Sequence, residues 1–507
     1  MENKNNKLPL IIAAAVILIC ITVFATGFGG YYLFKNILNT IPSNTFVSNS
    51  SSDEPLPPVN DTPVSPTEEY SIETQDSANT ELSKLFNAFW KTRELLNDNF
   101  LNQPVDDRVL ADGAISGIEQ YLESVDLSLA DVQIPDDAPT PDQLAIESDT
   151  PDEAVDAFLP FWEAWSKLDY LTLPEDSTPT HIMRASLTGM VEALDDPYTN
   201  YFDPDLAEQW NTDLSGEYEG IGAWVDVDGE FLTIISPIKD TPAEAAGLKS
   251  GDQVVGIDGD DMTGVDPNIT LKRILGPAGT KVTLTILREG ETTPFDVEII
   301  RKKISIPYIE TDMLEGDIAY LKLIRFYENG DTDFTNALKG LLAQNPNGLI
   351  IDLRGNPGGY LHIVVNIASE FLDNGIVLIE EFSDGSQKDY PVRSSKGLAT
   401  DIPLVVLVDG GSASASEIFA GAIQDYGRGT VVGTTTFGKG LVQLPITLPD
   451  DQGLVSITVA RWLTPNGTTI HEVGIEPDVT VEFTEEDAQN NLDPQLDKAI
   501  EILNSQQ

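Results

Sequence analysis

The spacing of apolar and polar positions changes several times along the chain, and each change marks a boundary. Residues 8–28 form an uncharged apolar run, long enough to cross a bilayer as one helix. Residues 39–80 are mostly Ser, Thr, Pro, Asn, Asp and Glu, too polar to bury a core, and read as a flexible tether. From Leu82, LSKLFNAFWKTRELLNDNF restores apolar residues at helical spacing. Across 216–303 the runs become short and β-like, with strands expected near 221–227, 231–235, 253–257 and 281–288. Short helices fit TPAEAAGL, where Thr241 can cap and Pro242 sits in the first turn, and PNITLKRILG. From Gly316 strand and helix alternate. GDIAYLKLIRF is a strand, 331–344 an amphipathic helix, and GLIIDLRGNPGG a buried strand ending in a glycine turn. A helix over 360–372, strands IVLIEEF and PLVVLV, a helix over 417–426 and a strand at 430–432 follow. This alternation predicts an α/β core with a mostly parallel sheet.

A repeat precedes that core. LFNAFW, with Phe89 and Trp90, recurs 72 residues later as AFLPFW, with Phe161 and Trp162. Gly117 in AISGIEQYLES recurs at the same offset as Gly189 in SLTGMVEALDD. Each copy reads as helix, polar loop, helix, with an acidic Pro/Asp spacer near 135–151 between them. The tryptophans have apolar neighbours at i, i+3 and i+4 and are expected in a core. The duplicated hairpin is expected to pack or dimerise; the sharper alternative is a platform for an activating adaptor or a substrate.

At 507 residues the chain can hold two or three domains. Its 83 acidic and 29 basic residues give a formal charge of −54, which argues against nucleic acid and anionic lipid as partners. The apolar segment, preceded by Lys4 and Lys7 and followed by a large acidic region, favours a single-pass anchor in the cytoplasmic membrane with the bulk extracytoplasmic. Cleavage after 25–27, as a signal peptide, is the other reading. The one cysteine, Cys20, lies inside the apolar run, so no disulfide is expected in the exported part. With no HExxH and three scattered histidines, neither a metal nor another cofactor is expected.

The candidate chemistry lies in VDGGSASASEIFAGAIQDYGRG and VVGTTTFGKGLVQ. A serine at a strand-to-helix turn is exposed beside free backbone N–H groups, but its hydroxyl needs a base. His181, His362 and His471 supply a Ser-His site poorly. Lysine is the alternative, and Lys439 lies among Phe437, Leu441 and Val442, which can desolvate its ammonium.

These two motifs, in this order and with 25 residues from serine to lysine, resemble the carboxy-terminal processing peptidases, also called tail-specific proteases. The resemblance covers about 158–481 and implies Ser-Lys endopeptidase activity. Ser414 would be the nucleophile and Lys439 the base, with Gln443 orienting the lysine. The DLRGNPGG stretch would form an oxyanion hole, the N–H of Ala415 acting with that of Gly358 or Gly359. Asp352, Arg354 and His471 read as structural, and Asp425 as helix-end structure. Residues 241–259 are similar to the SPAxxAGLKxGDxVxxIdG pattern of a circularly permuted bacterial PDZ domain, in which Gly220, Ile221 and Gly222 would hold a peptide's terminal carboxylate.

The implied fold is a crotonase- or ClpP-like protease core with an inserted PDZ domain, an N-terminal helical region and one transmembrane helix. The expected divisions are 1–38 anchor, 39–80 linker, 81–150 and 151–213 helical repeats, 214–303 PDZ, 304–483 protease core and 484–507 C-terminal helix. Implied partners are protein C-terminal tails, and homo-oligomers are common in the family. Two departures stand out: the extra first repeat, and Leu275 where many relatives carry an arginine, which in some of them helps couple the PDZ domain to the active site. Arg273 or Arg288 could substitute for it. The competing reading is a catalytically silent PDZ scaffold; an acyl-CoA enzyme is disfavoured by the PDZ domain and the anchor.

Overall fold

The computed structural model describes residues 70–506 apart from 131, 149, 175–176, 228, 289, 292 and 394–396. The apolar run over 8–28 lies outside the described residues, and among those described no helix is long and apolar enough to cross a membrane.

The first helix, α1 (Tyr70–Asn99), starts inside the stretch read as tether. A nucleated helix gains one hydrogen bond per added residue, so it runs back beyond its apolar stripe. There follow α2 (Asp107–Ser124), α3 (Pro141–Glu147), α4 (Val155–Leu168) and α5 (Pro179–Glu192). Asp106, Thr140 and Thr178 cap α2, α3 and α5 through their side chains. The two copies pack on each other as a bundle with two-fold character. Phe89 stacks on Phe161 at 4.8 Å, while Phe86–Trp162 and Trp90–Phe158 both meet at 5.0 Å. The α2–α5 crossing is backbone on backbone: a Cβ at Gly117 would lie 2.0 Å from Ala185 O, and one at Gly189 2.2 Å from Gly113 O. The repeat therefore finds its partner inside one chain.

After β1 (Asn200–Phe202) and α6 (Pro204–Ser215), the chain enters a small β domain through β2 (Glu217–Gly220). The domain contains β3 (Ala223–Asp226), β4 (Thr233–Pro237), α7 (Pro242–Ala245), β5 (Gln253–Ile257), β6 (Asp260–Asp261), α8 (Pro267–Ile274), β7 (Lys281–Leu287) and β8 (Phe295–Ile300). Its main sheet runs β3-β4-β5-β7-β8. The chain leaves through β9 (Lys302–Ser305), paired antiparallel with β2, so entry and exit lie side by side.

The core begins with β10 (Ile309–Leu314), β11 (Ile318–Leu323), α9 (Gly330–Leu342), β12 (Gly348–Asp352) and α10 (Leu361–Ala368). It continues with β13 (Ile376–Phe382), β14 (Gln387–Pro391), β15 (Leu404–Val408), α11 (Ala415–Asp425), β16 (Thr430–Gly433), β17 (Leu441–Thr447), β18 (Leu454–Leu463) and β19 (Val479–Thr480). Two helices, α12 (Glu485–Gln489) and α13 (Pro494–Ser505), close the chain. One sheet has the order β10-β11-β12-β15-β16-β19 and is parallel from β11 onward. Leu349, Ile351, Val406 and Val431 pack under α9, α10 and α11, whereas Ile350, Val405 and Val432 pack against Ala499 and Leu503 of α13. Burial on both faces explains why these strands read as unbroken apolar runs. The expected helix over 360–372 stops at Ala368, where Ser369 turns its hydroxyl onto Val365 O at 2.7 Å.

A second sheet, β1-β18-β13-β14 with β17 also on β18, carries the helical bundle. Leu448, Val455 and Ile457 enter the bundle's core, and Leu101 N donates to Thr458 O at 2.8 Å. Replacing Gly117 by Val should push α2 from α5 and destabilise the bundle by about 1–3 kcal/mol or more. Urea unfolding followed by tryptophan fluorescence reads this directly, because Trp90 and Trp162 lie in that core.

Candidate active site

Strand β15 delivers the chain into the turn that holds three alternating serines. Ser412 and Ser416 are fully buried and donate to Leu353 O and Asn356 O, each at 2.8 Å. Ser414 between them is half-buried and sits at φ 53°, ψ −112°, a backbone position that side chains rarely adopt. Strain of this kind costs roughly 1–3 kcal/mol and must be held by its surroundings. What holds it is Glu417, three residues on at the spacing of a capping box. Its buried carboxylate accepts from Ser414 N at 2.8 Å, Lys439 N at 2.9 Å, Gly438 N at 2.6 Å and Thr436 Oγ1 at 2.7 Å. Burial raises the Glu417 pKa, against the lowering effect of these donors. The serine turn and the lysine loop thus share one anion.

Lys439 is half-buried, with its carbonyl held by Trp462 Nε1 at 2.9 Å and its ammonium 5.1 Å from the centre of the Tyr198 ring. Burial lowers its pKa from 10.5 to about 8; Asp196 and Glu417 oppose that shift and Arg325 adds to it. Asp196 is fixed by Thr199 Oγ1 at 2.6 Å and Tyr198 N at 3.2 Å. Tyr198 also meets His471 edge-on at 6.3 Å. Asp196, Tyr198 and Glu417 had no role in the sequence reading. The ALDDPYTNYFDP motif and the S-x-x-E spacing were their visible signals.

Gln443 lies on β17 at a bulge and donates to Thr458 Oγ1 at 3.4 Å. Thr458 N in turn donates to Thr199 Oγ1 at 3.0 Å, which links β17 and β18 to the Asp196 turn. The glycine turn divides its work. The N–H of Gly358 already donates to Asn356 Oδ1 at 2.9 Å, so as a donor it is occupied. Its missing side chain matters more: a Cβ there would lie 2.8–2.9 Å from Ala413 O, Ala415 N and Ser414 Cβ. Among the described residues the N–H groups of Gly359 and Ala415 have no hydrogen-bond partner. Arg354 joins Asp352 at 2.6 Å to Asp493 at 2.8 Å, and Asp425 accepts from Asn466 N at 2.8 Å.

In the β domain, Gly222 takes φ 85°, and a Cβ there would lie 2.4 Å from the Thr241 side chain. The carbonyls of Ile221 and Gly222 accept from Ala243 N and from Ile238 N and Thr241 Oγ1. The ring of Tyr218 lies against Gly220, and burial raises the pKa of its hydroxyl. Leu275 flanks the same glycine. Arg273 and Arg288, considered as substitutes for the missing arginine, are engaged within this domain by Asp260 at 2.7 Å and Asp252 at 2.6 Å. Sequence reasoning also missed Arg301, which is buried and donates to the last carbonyls of α8 at 2.7 and 2.8 Å.

The carboxy-terminal-processing protease of Bartonella bacilliformis is 38% identical over 322 residues, 62% of this chain and 72% of its own length. The chain belongs to peptidase family S41. The Peptidase family S41 model matches residues 317–481 and the PDZ domain model residues 220–299. Carboxy-terminal processing protease CtpA of Bacillus subtilis is 37% identical over 62% of this chain and 67% of its own. Among solved structures, the photosystem II D1 C-terminal processing protease is 26% identical, covering 75% of this chain and 94% of its own at a TM-score of 0.39. This S41 chain is therefore a serine peptidase with a PDZ domain.

The buried lysine of this S41 peptidase makes a prediction about its stability. Below about pH 8 Lys439 is protonated in both states and the native state bears the full burial penalty. Between about pH 8 and 10.5 the unfolded chain binds the extra proton, so stability rises with pH until the penalty is gone. Lys439→Met should be more stable than wild type at pH 7, with a gap that closes towards about pH 10.5. Paired urea titrations across that range measure it.

Proposed function

We propose that this peptidase is a membrane-anchored endopeptidase that takes the C-terminal tail of a protein substrate in its PDZ domain and cleaves the chain by a Ser414–Lys439 mechanism. The observation that carries the reading is the joint anchoring of both residues on Glu417, together with a lysine amine whose pKa burial lowers to about 8. A neutral amine is then accessible near physiological pH, as a general base requires.

Ser414 Oγ attacks the scissile carbonyl while Lys439 Nζ accepts its proton. The oxyanion forms in the space left by Gly358, held by the N–H of Ala415 with that of Gly359 as second donor. Lys439 returns the proton to the leaving amine as the carbon–nitrogen bond breaks. It then deprotonates the water that hydrolyses the acyl-enzyme. With the Gln443 amide nitrogen on Thr458, its oxygen is the atom assigned to orient the amine. Residues 8–28 serve as the anchor and the catalytic region is extracytoplasmic, a reading supported by the apolar run and the acidic chain that follows it.

The test incubates wild type, Ser414→Ala and Lys439→Ala with an unfolded protein ending in an apolar tail and follows fragments by mass spectrometry. Wild type should cleave with a rate that rises through about pH 8, and each variant should be slower by about a thousandfold or more. Equal cleavage by Lys439→Ala would remove the lysine from the mechanism.

A further inference from the structure

We propose that Arg325 is a substrate-binding residue that takes a carboxylate of the substrate close to the scissile bond, an inference that rests on the Ser414–Lys439 reading. Arg325 follows β11 and precedes Phe326. Phe326 N donates to Gly358 O at 2.9 Å, its carbonyl accepts from Tyr360 N at 2.8 Å, and Phe326 bridges to Gly359. The backbone at 325 therefore runs along the glycine turn that faces Ser414. Phe326 is fully buried under the sheet, and in an extended chain its neighbour points to the other side. The Arg325 charge also acts on Lys439 and Tyr360, lowering the proton affinity of each.

That guanidinium lacks the partners that six of the other arginines have; Arg184 Nε is likewise buried without one. Arg93, Arg273, Arg288 and Arg354 each pair with a carboxylate, and Arg301 and Arg428 donate to backbone carbonyls. Arg325 Nε is buried with no hydrogen-bond partner, and among the described residues no ion pair involves Arg325. In a chain with 83 carboxylate residues against 29 basic ones, a partly buried cation beside a second cation calls for an explanation. The two carboxylates nearest Lys439 do not supply it. Asp196 is held by Thr199 and Tyr198 N, and Glu417 by its four donors. Glu328, whose charge also acts on Tyr360, makes no ion pair with Arg325 among the described residues. A carboxylate arriving with the substrate would supply the partner, since a planar guanidinium fork matches it in two parallel hydrogen bonds.

The carboxylate has two sources: an Asp or Glu side chain flanking the scissile bond, or the terminal α-carboxylate of a short tail. Internally quenched peptides separate them. One set carries Glu or Gln at each position within two residues of the cleaved bond and ends in an amide. A second set has no acidic side chain, has a short tail after the cleaved bond, and ends as free acid or amide. Wild type should favour the carboxylate member of one set by about tenfold or more in kcat/KM, and Arg325→Gln should bring that ratio close to one. The set that responds identifies the source. Ratios left unchanged by Arg325→Gln would overturn the proposal. So would an equal loss on all peptides with a shifted pH–rate profile, which would limit Arg325 to setting the proton affinity of Lys439. If wild type cleaves nothing, the catalytic reading fails by itself. The same ratios, read as binding by fluorescence anisotropy on Ser414→Ala with and without Arg325→Gln, then decide the arginine's role.

Discussion

One buried carboxylate organises this molecule. Glu417 is the first-turn residue of α11, yet it bonds to a turn before the helix and a loop more than twenty residues after it. Four donors converge on it, three of them backbone N–H groups whose positions depend on the whole course of the chain. An anion stripped of water requires that many partners, and in meeting the requirement it fixes the unusual φ of Ser414 and the path into Lys439 together. The bond from Thr436 continues outward, since the same hydroxyl accepts from Ile475 N at 2.7 Å and ties in the stretch that leads to β19. The Ser414 turn, the Lys439 loop and the C-terminal segment are thereby tied to one buried carboxylate.

Much of the fold was legible because its periodicities are clean. Strands buried on both faces read as unbroken apolar runs, and the repeat announced itself through Phe89/Trp90 and Phe161/Trp162. The start of α1 was misplaced because a helix extends past its apolar stripe once it is nucleated, and α10 ended early at a serine that bonds backward. In the site, the motif spacing picked out Ser414 and Lys439. The groups surrounding them were hidden, because Asp196 and Tyr198 lie over two hundred residues away and meet Lys439 only after the chain has folded. Spacing also could not separate the two glycines. That distinction came from Asn356, whose side chain takes up one N–H.

The extra helical repeat is not an appendage. Its first loop bonds to Thr458 O, while Thr458 N and Oγ1 reach Thr199 and Gln443. One residue of β18 is thus shared by the first repeat, the turn that carries Asp196 and the strand that follows Lys439. The bundle is also held to the same sheet by Asn87 Nδ2 on Asp450 at 2.9 Å and by Leu448, Val455 and Ile457 in its core.

Tyr218 ties the PDZ domain to the strand through which the chain enters it. Its ring lies against Gly220, and Leu275 lies beside the same glycine. A side chain at Gly220 would have to displace one or the other. The shape of this turn and the packing of the entry strand are therefore one constraint rather than two.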